Sequence, residues 1–93
     1  MSKEAYTEKR KQWLDDIAFV MSNSQGRRLM YSLLEQAGLA GMKRFESTFT
    51  GNSRSHFLEG KRAMGLGVQK DIFKSGYSSY RIMMDENEKD VFN

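Results

Sequence analysis

The chain has 93 residues, which is enough for one small domain, and its hydrophobic share of 39% predicts a thin core. Its net charge of +3 permits contact with acidic proteins or nucleic acid without being a signature of either. There is no cysteine, which excludes disulfides and zinc–thiolate sites, and no apolar run of signal-peptide or membrane-spanning length. The absence of proline fits helices joined by short links.

The N-terminal stretch is predicted to be a charged arm that becomes helical near Thr7, with residues 1–6 as a flexible tail. Further along, apolar residues recur at helical spacing and predict one buried face on the first helix. Phe19 points away from that face and widens the apolar surface. The predicted face comprises Trp13, Ile17, Val20 and Met21.

A polar break then precedes a second helix that is predicted to run to about Ala37. Ser22 and Gln25 have the spacing of a capping box at its start, and Gly38 suits the left-handed position that follows a helix. The predicted buried stripe of this helix comprises Leu29, Met30, Leu33, Leu34 and Ala37.

Two adjacent arginines, Arg27 and Arg28, lie in the first turns of that helix, where cations oppose the helix dipole. We expect them either to pair with Asp15 or Asp16 of the preceding helix, or to contact a phosphate or a partner protein. The two aspartates are neighbours on a helix, so their side chains diverge by about 100° and are poorly placed to hold one ion.

The segment 39–51 is predicted to be an irregular loop that is long for a compact helical protein. Phe45 and Phe49 either pin this loop to the core or meet a partner. Lys43 and Arg44 beside them are a weak hint of nucleic-acid contact, and residues 45–50 are the one weak candidate for a strand.

A third helix is predicted from a cap at Asn52 or Ser53 to about Ser75. Gly65 falls within its apolar stripe, which would let another helix approach closely. Gly76 suits the left-handed position after the helix. The predicted stripe comprises Phe57, Leu58, Met64, Val68 and Ile72.

The remainder is predicted to be a short last helix, with Tyr80 and Met84 on one face, and a flexible tail over residues 86–93. Phe92 in that tail is a candidate for docking on a neighbour. Lys61 lies within the third helix's stripe, so we expect its ammonium either to reach solvent or to pair with a buried carboxylate.

No arrangement of side chains meets the geometric demands of nucleophilic, metal or two-carboxylate catalysis, which predicts a non-enzyme without a cofactor. The single histidine, His56, is interpreted as a solvated residue near a helix start. Helix-turn-helix DNA binding stays an alternative, with the second helix presenting Arg27, Arg28 and Tyr31.

Two blocks of sequence resemble a family of short proteins from tailed phages. The first covers 14–38, with LDDIAFVM at 14–21, GRR at 26–28 and LLEQAG at 33–38. The second covers 49–65, with TGNSR at 50–54, Phe57, and EGKRAMG at 59–65. The blocks appear in the family's order over nearly half the chain, whereas the part after Lys70 departs from the pattern.

The resemblance implies a protein encoded among the head and tail genes of short-tailed phages, found in the virion and the host cytoplasm. Together with the pattern, it predicts one all-α domain over 1–93 that is a homo-oligomer or is bound to a portal, tail or head ring. Contact with packaged DNA is a further expectation. The alternatives are a small DNA-binding protein and an inhibitor of a host protein. The candidate partner-binding residues are Arg27, Arg28, Phe45, Phe49, Arg54, Arg62 and Phe92.

Overall fold

The computed structural model describes residues 3–41 and 53–92, apart from the side chains of residues 53–54 and 89–92. The described residues form three helices: α1 (Lys3–Met21), α2 (Ser24–Gln36) and α3 (Ser53–Phe92). The all-α class predicted from the sequence is therefore confirmed. The predicted loop, with Phe45, Phe49 and the weak strand candidate, lies mostly outside the described residues.

Helix α1 begins at Lys3, so the prediction of a helix start near Thr7 is wrong. Ile17 and Met21 are buried as predicted, whereas Trp13 remains 45% exposed. The reason is that the first half of α1 meets α3 through polar atoms, and the aromatic ring lies at the rim of that contact rather than inside an apolar layer.

The corner between α1 and α2 depends on two short polar residues. Asn23 is extended and its side-chain oxygen accepts from the Gly26 amide at 2.7 Å, so Asn23 caps α2. The predicted capping box is wrong, because the Ser22 hydroxyl instead donates to the Phe19 carbonyl at 2.5 Å. A Cβ atom at Gly26 would overlap the Val20 carbonyl oxygen, so glycine is required where the helices cross.

The other end of α2 is closed by Gly38, whose φ of 83° confirms the predicted left-handed conformation. The Gly38 amide donates to Glu35 at 3.0 Å and the Leu39 amide to Leu34 at 2.9 Å, which is the Schellman pattern. Arg62 of α3 donates to the Gly38 carbonyl at 3.1 Å, so α3 holds the end of α2 in place.

Helix α3 is broken at Gly76 and continues to Phe92, where the sequence predicted a separate short helix. Gly76 has a φ of 163°, which is extended backbone, so its predicted left-handed conformation is wrong. Three aromatic rings pack across the break. The Phe73 centroid lies 5.3 Å from that of Tyr77 and 4.7 Å from that of Tyr80, which joins the two arms, 53–75 and 77–92.

The core lies where both arms of α3 meet α1 and α2. Ile72 from the first arm and Met83 from the second are completely buried, and Tyr80 and Met84 pack against the same cluster. Each helix contributes only a few side chains, as expected from the low apolar content. The buried members of the cluster are Ile17, Met21, Tyr31, Leu34, Ala40, Ile72 and Met83.

Two of the predicted apolar stripes are rotated in the structure. On α2, Leu29 and Leu33 are exposed and Tyr31 is buried; on α3, Phe57 and Met64 are exposed. The face of α3 that meets α2 is centred on Gly65, so the predicted close approach at this glycine is confirmed. The rotation of α3 turns the larger neighbouring side chains outward.

Substituting two glycines of the first arm, Gly65 and Gly67, tests this contact. In Gly65→Ala the new Cβ would lie 2.5 Å from the Ala37 Cβ and 2.9 Å from the Leu39 Cδ1, so we expect a loss of about 1–3 kcal/mol. Gly67→Ala meets nothing within 4 Å and should gain up to about 1 kcal/mol from helix propensity. Urea unfolding followed by circular dichroism measures both, and equal effects would contradict the close approach.

Candidate protein-interaction surface

A buried carboxylate is a candidate for acid–base chemistry or for binding a ligand. Asp71 of α3 is 8% exposed, and one of its oxygens accepts from the Arg10 Nη1 at 3.1 Å and the Trp13 Nε1 at 2.7 Å. The other oxygen pairs with the Arg10 Nη2. With both oxygens bonded to α1, Asp71 is positioned to join two helices rather than to accept a proton from a ligand.

The bonds from Arg10 lower the pKa of Asp71 below its ordinary value of 3.8. Burial opposes this change, and the Trp13 indole adds to the lowering. The sequence interpretation missed this carboxylate, although a signal was present: Asp71 follows Met64 by two helical turns and so lies in register with the predicted apolar stripe.

Because the pKa of Asp71 is lowered in the folded state, its stabilisation is complete well above pH 3.8 and is lost as the pH falls through the lower folded value. We therefore expect Asp71→Asn to reduce the Tm at pH 7 and to flatten the loss of Tm below about pH 4. Thermal scans from pH 2 to 7 test this. Asp85→Asn, an exposed carboxylate on the same helix, is the control, and matching profiles for the two variants would contradict the assignment.

The described residues contain no group of three or more histidine, cysteine, aspartate or glutamate side chains that could hold a metal ion. His56 is exposed, as the sequence predicted. None of the described helices combines the length and the apolar character needed to cross a membrane.

Arg27 is engaged within the chain. Its Nε lies 2.7 Å from the Glu86 Oε1, its Nη2 lies 3.0 Å from the Glu86 Oε2, and its Nη1 donates to the Met21 carbonyl at 3.1 Å. The predicted partners, Asp15 and Asp16, are therefore wrong, because the second arm of α3 reaches the corner instead. This bidentate ion pair between Arg27 and Glu86 fixes the second arm of α3 against the corner.

Arg62 is half-buried through its bond to Gly38, and the ammonium of Lys61 is exposed at 5.6 Å from the centre of the Phe57 ring. Lys61 thus reaches solvent, which was one of its two expected states. Among the candidate partner-binding cations with described side chains, Arg28 alone is exposed and has no ion pair to another described residue. The Arg54 and Phe92 side chains, like Phe45 and Phe49, lie outside the description, so those assignments stay predictions.

Arg28 lies beside an open groove on the outside of the α1–α2 corner. Phe19 of α1 is 74% exposed and Leu29 of α2 is 59% exposed, and the two line this groove together. Leu33, one turn beyond Leu29, is 49% exposed. The corner groove, as we name it, is lined by Phe19, Val20, Asn23, Gln25, Gly26, Arg28, Leu29 and Ser32.

The same positions bear on the DNA-binding alternative. That alternative needs Arg27, Arg28 and Tyr31 on the outside of α2, but Tyr31 is 7% exposed and Arg27 is bound to Glu86. Of the three, only Arg28 faces solvent. The outer face of α2 instead carries the exposed Leu29 and Leu33, with Arg28 as its one cation among polar residues.

Comparisons of this chain with protein-family models, with characterised proteins and with solved structures give no match.

The adjacent arginines offer a matched pair of variants. Arg27→Gln removes the bonds to Glu86 and Met21, so we expect a lower Tm and faster proteolysis of the second arm of α3. Arg28→Gln should leave both unchanged, because the Arg28 side chain takes part in none of the described hydrogen bonds or ion pairs. A loss of stability in Arg28→Gln equal to that in Arg27→Gln would contradict these roles.

Proposed function

We propose that this chain is a virion or assembly-associated protein of a short-tailed phage that acts through protein–protein contacts rather than catalysis. In this proposal it is oligomeric or bound to a portal, tail or head ring, and it occurs in the virion and the host cytoplasm. The observation that carries the proposal is the corner groove, where apolar side chains from two helices are exposed side by side.

Isolated exposed apolar residues are ordinary, whereas contiguous ones mark contact surfaces. Phe19 and Leu29 line one groove although they belong to different helices, and Leu33 extends the surface by one turn. Because this chain buries few apolar residues by itself, contact with another protein would remove further apolar surface from water.

The groove is also pre-organised for binding. The Asn23 cap, the close crossing at Gly26 and the Arg27 pair with Glu86 fix the angle between the two helices. A surface that is already held in one shape loses less conformational entropy when a partner binds.

The sequence blocks that resemble the phage family include the corner groove. Its first block, 14–38, covers the second half of α1, the corner and all of α2, and its second block, 49–65, reaches Gly65. The residues of this chain that resemble the phage family thus include the whole corner and the part of α3 that meets the C-terminal end of α2.

Mass spectrometry of gradient-purified phage particles tests the proposed role. We expect a fixed copy number per particle for the wild-type chain, and a copy number reduced by at least about tenfold for Phe19→Glu, which places a charge in the groove. Leu66→Glu, a comparable change at a 46%-exposed site on α3, is the control. Far-UV circular dichroism shows whether both variants fold.

Absence of the wild-type chain from the particles would refute the virion role. Normal incorporation of Phe19→Glu would show that the corner groove is not the contact surface.

A further inference from the structure

We propose that the corner groove is occupied by a second copy of this chain, in a two-fold dimer whose axis runs along the groove. The inference rests on the proposed function only in taking the groove as a protein-contact surface. It adds the identity of the partner and the pairing of residues, and both follow from the charges on the groove's two sides.

The groove is lined by one charged residue, Arg28 on the α2 side, and an opposite charge lies beside the groove on the α1 side. Asp15 and Asp16 are exposed on α1, and Asp16 lies one turn before the groove residues Phe19 and Val20. The α2 side carries Arg28. Within the described part of the chain, neither Asp16 nor Arg28 has an ion pair, so both charges are available to another molecule.

These two charges lie at matching distances from the corner. Asp16 precedes Asn23 by seven residues and Arg28 follows it by five, which is about 10 Å and about 8 Å along the respective helices. A two-fold axis along the groove places the α1 side of one copy over the α2 side of the other. Asp16 then meets Arg28 of the second copy, and the same pair forms again by symmetry.

The apolar residues match under the same operation. Phe19 precedes Asn23 by four residues and Leu29 follows it by six, about 6 Å and about 9 Å along the helices, so the Phe19 ring of one copy lies beside Leu29 of the other, again twice. An aromatic ring over a leucine fills the centre of the contact, and the two charge pairs lie at its margins. This arrangement of apolar centre and polar rim is the usual one in protein interfaces.

Other occupants fit the charges less well. A nucleic acid or a strongly acidic protein would gain Arg28 but would face the repulsion of Asp16 beside the groove. A surface that carries both signs on opposite sides is instead complementary to itself, and self-complementarity is what a two-fold contact between identical chains requires.

Charge reversal tests the pairing. Sedimentation equilibrium should show a dimer for the wild type, and an increase of at least about tenfold in Kd for Asp16→Lys or Arg28→Glu, each of which brings like charges together. The double variant should return the Kd to within about threefold of the wild type, because each new lysine meets a new glutamate. An equimolar mixture of the two single variants should form a heterodimer.

Cysteine cross-linking provides a second measurement, and it is clean because the chain has no cysteine of its own. A mixture of Phe19→Cys and Leu29→Cys should form disulfide-linked pairs faster than either variant alone. Phe57→Cys is the control, since Phe57 is 67% exposed but lies on α3. Because these positions face solvent, the substitutions should leave the fold intact.

A monomer at all concentrations, a failure of the double variant to restore association, or equal cross-linking of the control would overturn the dimer. A monomeric chain that still enters particles through Phe19 would leave the proposed function in place. A dimer with the expected pairing that is absent from particles would support the inference and refute the virion role.

Discussion

The arrangement of the helices depends most on the bonds that join the Asp71 carboxylate of α3 to α1. Helix α1 buries only Ile17 and Met21, and most of a helix's stability in a protein comes from its tertiary contacts. Its first half is held by the bonds from Arg10 and Trp13 to Asp71, which lies next to the buried Ile72. Without this contact, α1 would be fixed mainly at its C-terminal end, and the corner that it forms with α2 would be less well defined.

A thin core has a direct consequence for the outside of the molecule. Outside the small core, small side chains and polar bonds make contacts between helices: glycine at the Gly26 and Gly65 crossings, and ion pairs at Asp71 and Glu86. Several large apolar side chains are therefore left outside. Where two of them line one groove, as Phe19 and Leu29 do, the surface suits a second protein rather than water.

Features that depend on a few neighbouring residues agreed best with expectation. The end of α2 at Gly38 and the close approach at Gly65 were both predicted, because a glycine in a helical pattern has few structural roles. The residue that caps α2 at the corner was harder to predict. Asn23 and Ser22 are both suitable caps, and local sequence does not decide which of the two adopts the extended conformation.

The sequence by itself determined an all-α chain, the approximate limits of α2 and the apolar residues available for a core. Only the tertiary structure decided which face of each helix is buried and which charges pair. Apolar periodicity places side chains on a helix wheel, but Tyr31, Arg27 and Gly65 can each face inward when a distant partner meets them. Those partners are remote in sequence, since Arg10 and Asp71 are 61 residues apart and Arg27 and Glu86 are 59 apart. Arg10 meets Asp71 on the first arm of α3, whereas the Arg27–Glu86 pair forms only because the break at Gly76 brings the second arm back onto the corner.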